Sequence, residues 1–107
     1  MDTDFNDLED ATRKYCDCCV SLNKILDKER ITEENYLEKQ KEIRLNNWIK
    51  VTDGEITQSL FNNTLKNKCF QEEIDYKKSC TIRKQEQNRL NSLKEKLYTT
   101  KLKIKLT

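Results

Sequence analysis

Cysteine is the residue type in this chain whose chemistry stands out. The five cysteines are Cys16, Cys18, Cys19, Cys69 and Cys80. Cys16 and Cys19 have the Cys-x-x-Cys spacing that supplies half of many zinc sites, but without histidine the site would need four thiolates. On a helix Cys69 and Cys80 lie about 16 Å apart, too far to share one ion. We therefore predict no metal site, and free thiols in a reducing compartment.

Catalytic motifs are absent from the sequence. There is no histidine to act as a general base, and a single glycine does not provide a glycine-rich phosphate loop. Carboxylates are numerous, but an extended helical protein lacks the concave pocket in which they would catalyse a reaction. We predict that the protein is not an enzyme and takes neither a cofactor nor a small-molecule substrate.

The composition indicates long helices. The chain has 107 residues, of which 37% are charged, with one glycine and no proline. Folds with many turns need Gly and Pro at those turns, so their near absence indicates few turns. A helix that buries one narrow stripe also needs few apolar residues. The sequence predicts an all-α fold, a long antiparallel helical hairpin or coiled coil, with a three-helix arrangement as the alternative.

The first predicted helical arm covers residues 1–51. Its core positions are occupied, at alternating spacings of three and four, by Phe5, Leu8, Thr12, Tyr15, Cys19, Leu22 and Leu26. This spacing is typical of a helix with a narrow buried seam. Over residues 28–35 the pattern weakens, because Glu29 and Glu33 take the core positions and Thr32 fits an N-cap. We expect one long helix, with a break at 28–35 as the main alternative.

A turn is predicted at residues 52–55, where Asp53 and Gly54 form a typical turn dipeptide. The second helical arm then covers residues 56–100. Its apolar spacing shifts after Ile82, which resembles a coiled-coil stutter. Residues 101–107 alternate lysine with apolar residues, a pattern that fits either a basic tail or a short strand.

The predicted helix-pairing seam combines residues of both arms. Its members are Phe5, Leu8, Tyr15, Cys19, Leu22, Leu26, Ile43, Trp48, Ile56, Leu60, Phe70, Ile74, Leu90, Leu93 and Leu97. Trp48 lies beside the turn. There we favour a core role at the tip of the hairpin over an anchor for another chain.

Charge is distributed unevenly along the chain. Residues 1–35 carry 5 basic and 10 acidic side chains, whereas residues 76–107 carry 10 basic and 2 acidic ones. An antiparallel hairpin places these two segments side by side, so their opposite charges favour that orientation. Each exposed pair contributes only about 0–1 kcal/mol, so the charges select the arrangement more than they stabilise it.

The sequence leaves three functions open, of which the first is favoured. The first is a structural or adaptor subunit that joins a larger complex by pairing with other coiled-coil chains, as a homo- or hetero-oligomer. The second is nucleic-acid binding through the basic C-terminal third, because clustered cations attract phosphates. The candidate contacts for this second function are Lys84, Arg89, Lys94, Lys96 and Lys101. The third is a kinetochore, cytoskeletal or tethering coiled-coil subunit.

The first ten residues argue against a secretory signal. They carry five acidic residues and no basic one, the reverse of a signal peptide's charged region. No apolar run approaches the roughly 18 residues that span a membrane. We expect no membrane span and an intracellular location, in the cytoplasm or nucleus.

Overall fold

The structure, a computed structural model, describes residues 2–106, with side chains from residue 3 onward. Helix α1 spans Asp2–Thr52, α2 spans Gln58–Lys68 and α3 spans Phe70–Leu106. No strand occurs among the described residues. The all-α prediction is confirmed.

The chain divides into two compact units. Unit 1 comprises Met1–Asp27 with Thr81–Thr107, and unit 2 comprises Lys28–Cys80. In unit 1 Ser21 of α1 hydrogen-bonds to Glu86 of α3, whereas Asp4 contacts Lys103. Residue numbers therefore rise along α1 as they fall along α3, and the two segments are antiparallel, as a helical hairpin requires.

In the α1 seam of unit 1, every second predicted position agrees with the structure. At the other positions, the more buried residue is the one just before the predicted residue. Leu8, Tyr15 and Leu22 face α3, but they alternate with Ala11 and Cys18, which are fully or almost fully buried. The predicted seam residues Phe5, Cys19 and Leu26 each lie one position after the residue that faces α3. Phe5 and Leu26 are exposed. From Leu8 a step of either three or four residues continues a seam. At Ala11 and Cys18 the structure takes the step to small side chains.

Helix α3 keeps one register through unit 1. Its half-buried side chains recur at spacings of three and four at Arg83, Glu86, Leu90, Leu93, Leu97, Thr100 and Ile104. The predicted stutter after Ile82 is therefore absent, and Ile82 itself is exposed. The apolar pattern suggested a shift because polar residues, Arg83 and Glu86, occupy seam positions.

In unit 2, α1 passes through residues 28–35 without interruption, so the break considered there is absent. The Thr32 hydroxyl donates to the Glu29 carbonyl oxygen at 2.9 Å, a bond within the helix and not an N-cap. Across the unit the Cys80 thiol donates to the Glu29 carboxylate at 3.6 Å. The rings of Tyr36 and Tyr76 stack with centroids 6.2 Å apart. These contacts again join antiparallel segments.

Gly54 ends α1. The Glu55 amide donates to the Lys50 carbonyl and the Gly54 amide donates to the Val51 carbonyl, the two bonds of a Schellman motif. Gly54 has φ of 75°, a left-handed conformation that a side chain disfavours. The predicted turn at Asp53 and Gly54 is thus a helix C-cap.

Helix α2 begins later than residue 56. Thr57 is its N-cap, and its side chain accepts a hydrogen bond of 3.1 Å from the Leu60 amide. A one-residue interruption at Cys69 separates α2 from α3. The Cys69 amide still donates to Leu65 and the Glu73 amide to Cys69, so the hydrogen bonding of the arm continues through it.

The C-terminal segment is helical. Residues 101–106 belong to α3, so the alternative of a strand there is wrong, and Thr107 lies outside the described residues. An isolated strand would need a partner edge, whereas a helix satisfies its own backbone hydrogen bonds. The helix also places Lys103 beside Asp4, with the ammonium nitrogen 3.8 Å from the carboxylate oxygen.

Candidate interaction surfaces

The outward face of α1 in unit 2 carries a shallow apolar groove. It has a volume of about 260 Å³ and is lined by Leu37, Gln40, Lys41, Arg44, Leu45 and Trp48. Leu37, Leu45 and Trp48 are 53%, 66% and 66% exposed. The inward side of the same helix segment is marked by Ile43, which is buried. We call this surface the α1 groove.

Cations lie among the apolar residues of the α1 groove. Lys41 and Arg44 belong to its lining, and no carboxylate does. The nearby ion pair of Arg30 with Glu34, 3.0 Å long, belongs to the preceding turns of α1. The groove therefore combines an apolar surface with positive charge.

Several predicted seam residues of unit 2 lie on its surface. Trp48 does not cap the core at the tip, and Leu60 and Phe70 are also exposed. Ile43 is buried, and Ile56 and Ile74 are half-buried. Trp48 turns outward because Ile43, five residues earlier, faces the core, and five residues turn a helix by about 500°, which leaves a net rotation of about 140°.

A polar cluster crosses the seam of unit 1. The Cys18 thiol donates to one carboxylate oxygen of Glu86 at 3.0 Å, and the Ser21 hydroxyl donates to the other at 3.3 Å. Arg89 donates to Glu86 at 2.8 Å from the same helix. The hydrogen bond from Cys18, helped by Arg89, lowers the pKa of Glu86, while burial raises the pKa of Cys18. The cluster holds an ionised carboxylate against a protonated thiol and fixes how α1 and α3 are aligned.

The structure divides the five basic residues that we considered for nucleic-acid binding. Arg89 is bonded to Glu86. Lys94 and Lys101 are seven residues apart, so they lie on the same side of α3, whereas Lys84 and Lys96 point in other directions around the helix. The predicted set therefore does not form one surface.

The five cysteines differ in their exposure. All five cysteines are free, and Cys18 and Cys69 are buried. Burial raises the pKa of the Cys69 thiol as it does for Cys18, so both are weak nucleophiles. Within the described part of the chain no group of three or more potential ligands is placed to hold a metal ion.

Sequence reasoning missed Leu37, Lys41 and Arg44 as parts of a surface. Leu37, Leu45 and Trp48 follow each other at spacings of eight and three residues, a helical stripe that the sequence contains. That stripe competes with the stripe of Tyr36 and Ile43. Only packing shows which of the two faces the second arm.

None of the helices within residues 2–106 is long and apolar enough to cross a membrane. The chain matches no protein-family model, and neither a curated protein nor a solved structure is detectably similar to it.

Proposed function

We propose that the protein is a structural or adaptor subunit, not an enzyme, that joins a larger assembly by pairing the α1 groove with an amphipathic helix of another protein. The observation that carries this proposal is the exposure of Leu37, Leu45 and Trp48 along one face of α1. A contiguous apolar surface rimmed by polar residues is typical of an interaction site.

The residue types of the groove suit a helix interface. Tryptophan and arginine are enriched among the residues that dominate binding energy. In the groove, Arg44 lies about two turns and Trp48 about three turns after Leu37. Burying these side chains removes apolar area from water, worth roughly 25 cal/mol for each Å². A helix laid along the groove would supply contacts at successive turns.

The charges of the groove indicate the chemistry of its partner. Lys41 and Arg44 have no carboxylate beside them in the groove lining, so a partner helix with Asp or Glu flanking its apolar residues complements them. Two copies of the chain pairing through this groove would bring four cations together. A different, acidic helix is therefore the favoured occupant.

Site-specific crosslinking tests the proposal. A photo-crosslinking residue at position 45 in the organism's own cells should capture a partner that the same residue at position 24 does not. Lys24 is an exposed α1 residue in unit 1, so it serves as the control. The captured protein is then purified, and its complex with the chain is reconstituted.

The reconstituted complex should lose affinity when the groove is truncated. Trp48→Ala should raise Kd about 30-fold, the effect of a loss of about 2 kcal/mol. Tyr98→Ala removes another largely exposed aromatic and should leave Kd unchanged. Equal capture from positions 45 and 24, or a complex indifferent to Trp48→Ala, would contradict the proposal. A stable homo-oligomer disrupted by Leu45→Glu would keep the groove as an interface but replace the acidic partner with a second copy.

A further inference from the structure

Helix α3 aligns three lysines and a tyrosine in unit 1. Because the helix continues to Leu106, residues 94, 98, 101 and 105 follow one another at spacings of four, three and four. At about 100° per residue, Lys94, Tyr98, Lys101 and Lys105 fall within an arc of roughly 60° and span about 16 Å along the axis. We call these four residues the basic stripe.

Among the described residues, no ion pair joins the acidic segment of α1 to the basic stripe. In unit 1 the described ion pair between the arms joins Asp4 to Lys103, which lies on another side of α3. Among the described residues, Lys94, Lys101 and Lys105 form no ion pair. Glu95 is the single acidic residue after Glu86. Among the described side chains, charge pairing between the arms thus accounts for Lys103 but not for the stripe.

An exposed aromatic ring accompanies these cations. Tyr98 is 64% exposed and, with Lys94, Glu95 and Thr99, lines a shallow and largely apolar groove of about 420 Å³. An exposed tyrosine beside lysines provides a surface on which a planar base stacks while the ammonium groups contact phosphates. The phosphates of duplex DNA are equally accessible, but its bases are already stacked and offer no free face to Tyr98.

We propose that the basic stripe binds single-stranded nucleic acid, with Lys94, Lys101 and Lys105 on phosphates and Tyr98 stacked on a base. This function is separate from the α1 groove and does not depend on it. The span of about 16 Å corresponds to about five phosphates of a stacked strand. Recognition is through the backbone and one aromatic face, so little sequence preference is expected.

Three phosphate contacts predict the salt dependence. For single strands the slope of log K against log salt is about −0.7 per contact, which gives about −2 for the stripe. Affinity should therefore fall about 20-fold between 50 and 200 mM salt. Losing the stacked ring should weaken binding about tenfold.

Fluorescence anisotropy with the full chain and a labelled 20-nucleotide poly-dT or poly-U strand tests this. Lys94→Gln/Lys101→Gln should weaken binding at 50 mM salt roughly 60-fold and reduce the slope to about −0.7. The control Lys24→Gln/Lys96→Gln removes the same charge from exposed sites outside the stripe and should change affinity less than threefold. Tyr98→Ala should weaken binding about tenfold because it removes the stacked ring, and Tyr98→Phe should restore the affinity because it keeps the ring. Circular dichroism verifies that each variant remains helical.

Three results would overturn the proposal. One is no binding of either strand at 50 mM salt and 100 μM protein. Another is equal weakening by the stripe and control variants, which shows attraction to net charge alone. The third is stripe-dependent binding to vesicles of anionic phospholipid without binding to either strand, which assigns the stripe to a membrane surface. Loss of the α1 groove through Trp48→Ala should leave strand binding intact, so the two proposals fail independently.

Discussion

The register of the unit 1 seam can be tested with one substitution at two sites. Leu22 and Leu26 are one turn apart on α1, and the sequence pattern places both in the seam. In the structure Leu22 is 7% exposed and Leu26 is 43% exposed. Leu→Ala at each site makes the same chemical change and the same small change in helix propensity, so the difference between them reports burial.

The expected magnitudes follow from that burial. Leu→Ala at Leu22 removes about three buried carbon groups at about 0.8 kcal/mol each, and a narrow seam closes part of the space left behind. We expect a loss of about 2.5 kcal/mol in the free energy of unfolding. Leu26→Ala removes a smaller buried area and leaves no cavity, so the free energy of unfolding should fall by about 1 kcal/mol or less.

Urea and thermal unfolding followed by circular dichroism at 222 nm measure both variants. Because Leu22 and Leu26 belong to the same unit, they report on the same packed segment. At about 4–8 °C for each kcal/mol, Leu22→Ala should lower Tm by 10 °C or more. Equal losses from the two variants would refute the register, since they would place Leu26 in the seam with Leu22.

Three further predictions concern single residues. The pKa of Glu86 is held below its ordinary value of 4.5, chiefly by the hydrogen bond from Cys18, so its contribution to stability is present above the unfolded pKa and is lost as pH falls through the folded pKa. Glu86→Gln should therefore flatten the acid side of a plot of the free energy of unfolding against pH. An unchanged curve would mean that the polar cluster does not hold Glu86 in its ionised form. Cys16 is exposed, whereas Cys18 is buried and its pKa is raised. Alkylation of the native protein at pH 8 should therefore modify Cys16 before Cys18, as mass spectrometry can detect. Gly54→Ala adds a side chain to open space but at φ of +75°, so it should cost about 1 kcal/mol in urea unfolding; no cost would mean that the cap is not left-handed.

Composition and turn chemistry were sufficient for the fold class. Without proline and with one glycine, the chain could change direction sharply at few points, and Gly54 is where α1 ends. Continuous helix through residues 28–35 also followed from the lack of a breaker there. The alternative of a C-terminal strand was wrong because alternation over six residues fits a helix end equally well, and a helix needs no partner edge.

The candidate surfaces were only partly predictable. The heptad spacing identified Leu8, Tyr15 and Leu22, because in that stretch each is the large apolar residue one heptad from the next. It did not identify which neighbour completes the seam, since steps of three and four residues are both allowed. The sequence favoured a core position for Trp48 because it is an apolar residue near the tip.

The sequence by itself determined that this protein is helical, where its long first helix ends, and that its two ends carry opposite charge. These features depend on backbone conformation and on residue order, which are local. Only the tertiary structure decided that Ala11 and Cys18 complete the seam and that Leu37, Leu45 and Trp48 lie outward. It also decided that Lys103 pairs with Asp4, whereas the basic stripe has no ion pair with any described residue. Those outcomes depend on the rotation of each helix against its neighbour, and a rotation of one residue, about 100°, exchanges a buried side chain for an exposed one.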